Sequence, residues 1–279
     1  MTQVKRPRGG ASPEGKGLDF GGIRAEIDLM LMEQQGLWPQ PPVDDGDLQR
    51  FCSTCVFGKL CLPDGYSKAA LGELHMLIEH VGPFHAGDSI FEPGEAFNAV
   101  YAVRAGVVKT WVLDDKGREQ VLGFYTPGEL VGLNAIYSSR YPCHATAIDT
   151  VMLCRFSFPA MATMAQKIPS IQQTLFQLIS KDIGTATLGK GDFSAEERLA
   201  AFLVNWSERL AALGYARNRF HLPMQRTDIA NYLTMAPETL SRVIRRLSDE
   251  GVVRIERREV EVHDRKALEK MAASILRRG

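Results

Sequence analysis

No excess of charge marks this chain: its 279 residues hold 33 Lys and Arg against 33 Asp and Glu. Whole-chain charge is therefore silent about a nucleic-acid partner, and only local clustering can speak to one. Long apolar runs are also missing. None approaches the roughly 18 residues of a membrane-spanning helix, so no membrane partner is expected. From Met1 to about Gly22 the chain is rich in Pro, Gly, Lys and Arg and lacks the apolar stretch of an export signal. It reads as a disordered basic tail. Cysteine is scarce, five in all. An odd count without an export signal points to a reducing cytoplasm, where clustered thiols are ligands or redox groups rather than structural disulfides. No nucleophile–base grouping or phosphate-cradling loop stands out, so an enzyme is not expected.

The few cysteines are concentrated. Cys52, Cys55 and Cys61 lie within ten residues and can converge on one soft metal centre if the chain wraps around it. Thiolates select zinc, copper(I) or iron–sulfur clusters. Tetrahedral zinc and a four-iron cluster both take four ligands, so a fourth must come from elsewhere, Cys143 or Cys154. Cys154 alternates with Met152 and Phe156 and shares their face of a strand, a place that also suits a buried structural cysteine.

Along the chain the texture changes several times. Residues 67–80 have helical spacing, with Leu71, Leu74 and Ile78 on one face and Ser67 as N-cap. From Val81 to Phe158, short β-branched runs alternate with turn signals at Glu92-Pro93-Gly94, Asp114 to Gly117 and Pro127-Gly128, the pattern of a small antiparallel barrel or sandwich. Past Pro159 the period returns to 3.6. Phe176, Ile179, Ile183 and Ala186 then form a narrow seam, as in a two-helix coiled coil, which predicts a homodimer. Gly184, Gly189 and Gly191 weaken that helix. Residues 194–213 predict another helix, opened by a capping box of Ser194 and Glu197.

Residues 226–249 carry a helix–turn–helix pattern. Ile229 and Leu233 face a first short helix inward, Thr234 to Ala236 make the turn, and Pro237 suits the first position of a second helix. Leu240, Val243, Ile244 and Leu247 bury that second helix, leaving Glu238, Ser241, Arg242 and Arg245 on its other face. Arg can bridge O6 and N7 of guanine, and Glu can accept from N4 of cytosine. Arg246 and the arginines of a following hairpin, Arg254, Arg257 and Arg258, suit phosphates, which set register without sequence information. Ala236, before Pro237, is a weak cap. A last helix is expected over 264–277.

In this order the parts resemble the cyclic-AMP receptor/FNR (Crp/Fnr) superfamily of bacterial transcription regulators, and within it the oxygen-sensing FNR regulators. The resemblance runs from about Cys52 to Ala273. It rests on the cysteine loop ending Cys61-Leu62-Pro63, on Gly128 to Gly132 and Thr150 to Cys154, on Ala195 to Phe202, and on Glu238-Thr-Leu-Ser-Arg242. It implies an α+β architecture: an N-terminal cysteine loop, a cyclic-nucleotide-binding-like β-roll (jelly roll), a long dimerisation helix and a C-terminal winged helix-turn-helix. The expected boundaries are 1–50 for a variable extension, 51–160 for loop and roll, 161–193 for dimerisation helix and hinge, and 194–279 for DNA binding. The resemblance further implies a [4Fe–4S] cluster on Cys52, Cys55, Cys61 and Cys154, with Cys143 spare. It implies a dimer on an inverted repeat like TTGAT-N4-ATCAA, read by Glu238, Ser241 and Arg242, with RNA polymerase as a partner. Zinc, a thiol–disulfide switch and an electron carrier are the rival uses of the cysteines. The superfamily's cyclic nucleotide needs a Gly-Glu pair and an Arg-Ser pair; here Leu133 follows Gly132, and Tyr141-Pro142 stands about where Arg-Ser would. Cyclic-nucleotide binding is not expected.

Overall fold

Alternation of apolar residues, broken by Gly-containing turns, folds the segment after Val81 into strands. The computed structural model describes residues 78–167, 172–173, 175–180 and 191–276. In chain order its first strands are β1 (Ile78–Phe84), β2 (Ser89–Phe91), β3 (Ala99–Ala105), β4 (Val108–Leu113), β5 (Glu119–Tyr125), β6 (Leu130–Val131), β7 (His144–Ala147) and β8 (Val151–Ser157). They form two four-stranded antiparallel sheets, ordered β1-β8-β3-β6 and β2-β7-β4-β5. The inner faces meet through Phe91, Val103, Val108, Val131, Val151 and Leu153.

The helix expected over 67–80 is corrected at its end. Ile78, Glu79 and His80 open β1, where Ile78 lies opposite Phe156 and His80 opposite Cys154. A strand partner distant in sequence overrides the local helical spacing. Pro83 is tolerated because β1 is an edge strand. Residues 67–77 lie outside the described residues.

Val100 and Ala102 alternate with Tyr101 and Val103, so the first sheet is apolar on its outer face as well. Helix α1 (Phe158–Lys167) covers that outer face with Phe158 and Met161, and Leu175 and Leu178 pack against the same layer. Those two residues turn one side of the helical stretch 175–180 onto the roll. Phe176 remains 62% exposed, and Ile179 is half-buried. Ile183 and Ala186 lie outside the described residues.

The C-terminal part begins with α2 (Ala195–Ala212), and its capping box is present: the Ser194 side chain accepts from the Glu197 N–H, and the Glu197 carboxylate accepts from the Ser194 N–H. Then follow β9 (Arg219–His221), α3 (Arg226–Tyr232), α4 (Pro237–Asp249), β10 (Val253–Glu256), β11 (Glu259–Val262) and α5 (Arg265–Leu276). The three strands form a wing ordered β10-β11-β9. Trp206, Leu199, Leu203, Leu240, Leu247 and Leu268 centre this core, which extends to Val121 and Phe124 of the roll.

Candidate DNA-reading surface and metal centre

Helix α4 turns its faces as its sequence periodicity requires. Leu240, Val243, Ile244 and Leu247 are buried, and Glu238, Ser241, Arg242 and Arg245 are exposed together. Pro237 occupies the first turn, and the N-cap Ala236 makes no side-chain cap. The turn before it holds Thr234 at a φ of 55°, the left-handed region that favours glycine. Arg198 steadies that turn by donating to the carbonyl oxygens of Leu233, 3.2 Å, and Thr234, 3.5 Å.

The arginines divide into two sets. Arg242 donates to the Thr239 hydroxyl at 3.2 Å. Among the described residues, neither Arg242 nor Arg245 has a carboxylate within ion-pairing reach. Arg246 bonds Glu250 at 3.0 Å and Glu196 at 2.6 Å, and these partners raise its guanidinium pKa above the ordinary value. Arg254 pairs with Glu256 at 2.6 Å. The sequence suits both to phosphates; in the structure both hold carboxylates. Arg257, at a φ of 54° on the wing's tip, and Arg258 are exposed. With Arg219, His221 and Arg226 they line an open groove beside the wing, together with Glu256, Glu259 and Glu261; Arg219 pairs with Glu261 at 3.5 Å. Arg219 escaped the sequence reading because β9 joins the wing only through its pairing with β11.

Sequence reasoning also missed the joint between reading head and roll. Asn231 of α3 treats the edge of β5 as a strand would: its amide donates to the Glu119 carbonyl at 2.5 Å and accepts from the Val121 N–H at 2.7 Å. Lys109 bridges Glu119 at 3.1 Å and Asp228 at 3.3 Å. Phe124 sits edge-on to Phe202, Trp206 and Tyr232, while Arg209 bonds the Phe124 carbonyl and Glu129. The exposed face of α4 stays clear of this joint. Asn231→Ala strands the N–H of Val121, which is 3% exposed. It is expected to cost about 1–3 kcal/mol, seen as a lower urea midpoint.

Cys52, Cys55 and Cys61 lie outside the described residues. The two later cysteines have opposite settings. Cys143 is fully buried between the sheets, receives an N–H from Asn134 at 3.6 Å, and has its thiol pKa pushed up by burial. Cys154 is half-buried on the outer face of the first sheet, against the layer that includes Leu175 and Leu178. Among the described residues no three His, Cys, Asp or Glu gather into a metal-binding group. A metal at Cys154 would therefore draw on donors outside that set, and its half-open position fits the last ligand of a thiolate-bound centre better than Cys143 does.

The roll interior has an aromatic plug near the 3-10 turn Leu133–Ala135. Tyr141, 3% exposed, stacks on Phe91 with centroids 3.9 Å apart and donates to the Ala99 carbonyl at 2.7 Å. Gly132, at a φ of 99°, lets that ring approach; a Cβ there would stand 3.2 Å from it.

A two-sheet roll and a winged helix–turn–helix with an exposed arginine face define a modular DNA-binding regulator. Residues 82–167 match the cyclic nucleotide-binding domain family, and residues 197–271 match the Crp-like helix-turn-helix domain. The chain is similar to the anaerobic regulatory protein of Haemophilus influenzae, 33% identical over 80% of this chain and 88% of that protein. It is also similar to the fumarate and nitrate reduction regulatory protein of Escherichia coli K12, 33% identical over 82% and 93%. The solved structure of FixK2 from Bradyrhizobium japonicum shares the fold, with a TM-score of 0.61 at 24% identity over 70% of this chain and 96% of that one. The chain belongs to the Crp/Fnr family of transcription regulators. Among the described residues no helix is long and apolar enough to cross a membrane.

Proposed function

We propose that this protein is an oxygen-responsive regulator of anaerobic metabolism, active as a homodimer with a [4Fe–4S] cluster on Cys52, Cys55, Cys61 and Cys154. The observation that carries this reading is the half-open position of Cys154 on the sheet face that also seats Leu175 and Leu178. The bound cluster supplies oxygen-labile iron–sulfur bonds. Cys154 then ties the N-terminal loop to β8, beneath the helix that presents Phe176, Ile179, Ile183 and Ala186 to a second copy. Holding the loop biases that helix toward the dimer, and losing it withdraws the bias.

In the dimer, two α4 helices stand about one DNA turn apart, roughly 34 Å, on an inverted repeat like TTGAT-N4-ATCAA. Glu238, Ser241, Arg242 and Arg245 face the bases; Arg257 and Arg258 face phosphates. RNA polymerase is the partner through which a bound regulator acts, and the cytoplasm is where it meets DNA. A cyclic nucleotide is not part of this scheme. Its phosphate would enter an interior lined by apolar and aromatic side chains, Phe91, Tyr141 and Val131 among them, and an unpaired buried charge is strongly unfavourable.

Protein purified without oxygen is expected to carry about four irons and four sulfides per chain, with visible colour that bleaches in air, and to bind the inverted repeat only before bleaching. Colourless protein containing zinc, or no metal after anaerobic reconstitution, would instead make the cysteines a clasp or a thiol switch.

A further inference from the structure

We propose that His80 is a further residue of the metal centre, donating an N–H to the Cys154 thiolate. This rests on the cluster reading above. The inference comes from the strand register: His80 of β1 lies directly opposite Cys154 of β8. Opposed residues of an antiparallel pair share a face, with Cβ atoms about 4.5–5.5 Å apart, a gap that an imidazole spans to a sulfur. Both residues are half-buried, so neither is sealed in the core nor fully washed by solvent.

Among the described residues, the other strand neighbours of Cys154 on that face carry no side-chain donor. Ala102 lies opposite it on β3 and is 1% exposed. Met152 and Phe156 flank it along β8, and Ile78 and Val100 sit diagonally, opposite Phe156. His80 is the paired neighbour with a polar hydrogen. It lies on the outer side of Cys154, since β1 is the edge strand, and β1 is also the strand through which the cysteine segment joins the roll. Metal ligands keep their orientation through such outer hydrogen bonds, whose loss typically weakens metal binding about 10–100-fold. An N–H aimed at a ligand sulfur also favours the more negative state of a cluster, raising its reduction potential.

The test uses the full chain, purified and kept without oxygen, as wild type, His80→Ala and His80→Gln. All three are expected to hold iron and sulfide. His80→Ala should release iron to a ferrous chelator about tenfold faster than wild type, with a lower midpoint potential by spectroelectrochemistry. His80→Gln, whose amide also donates, should recover most of both. Electron–nuclear double resonance on the reduced cluster, with 15N-histidine, should show only weak nitrogen coupling, as for a hydrogen-bonding neighbour. Unchanged release and potential in His80→Ala overturn the proposal while leaving the cluster reading intact. Strong nitrogen coupling overturns it too, since His80 would then be a ligand. A wild-type chain without iron or sulfide removes the cluster reading and His80's role together.

Discussion

Cys154→Ala is expected to give a folded but colourless protein that binds its inverted repeat without oxygen no better than in air. Cys143→Ala is expected to keep both the colour and the oxygen-dependent binding. A ligand must reach the metal and meet it as a thiolate. Cys143 does neither easily: it is fully buried among Phe91, Val103 and Leu153, and burial pushes its thiol pKa up. Cys154 lies half-buried on the outer face, in the layer with Leu175 and Leu178. Losing the specific mode lowers affinity toward non-specific levels, about a thousandfold or more. Iron per chain and anaerobic affinity for the repeat measure both effects. If Cys143→Ala bleaches the protein and Cys154→Ala does not, the fourth ligand has been misassigned and the coupling through Leu175 and Leu178 goes with it.

That contrast marks the limit of sequence reading here. Features set by neighbours in sequence were legible: the Ser194–Glu197 capping box, Pro237 opening α4, the wing hairpin and the split of α4 into buried and exposed faces. Features set by distant partners were not. Ile78 to His80 read as the end of a helix because their strand partner lies on β8. The ion pair of Arg246 with Glu196, on another helix, is invisible to a local pattern. Asn231 fitted an ordinary short helix, and only its docking against β5 shows why an amide belongs there. Cys143 and Cys154 differ in burial, a property of the folded sheets. The residues alone left the choice between them open, and only family resemblance favoured Cys154.

Arg242→Ala should remove discrimination at one base position of each half-site while leaving the fold alone. The side chain is exposed, and its described bond is to Thr239 on its own helix, so the unfolding midpoint should stay within the equivalent of about 0.5 kcal/mol. On DNA, one bidentate arginine–guanine contact is worth about 1–3 kcal/mol of discrimination. A dimer makes that contact in both half-sites, so the loss is roughly 2–6 kcal/mol, at least thirtyfold in affinity, concentrated on the guanine position. The slope of affinity against salt should scarcely move, because no phosphate partner is lost. Arg257→Ala on the wing's tip should behave in the opposite way. Its affinity should fall on matched and mismatched sites alike, and the salt slope should flatten by about 0.9 for each phosphate contact removed. Fluorescence anisotropy titrations over a salt series, on the repeat and on a guanine-substituted variant, separate these outcomes. Equal losses on both sequences for Arg242→Ala would reassign it from base reading to backbone positioning and leave Glu238, Ser241 and Arg245 to carry the specificity.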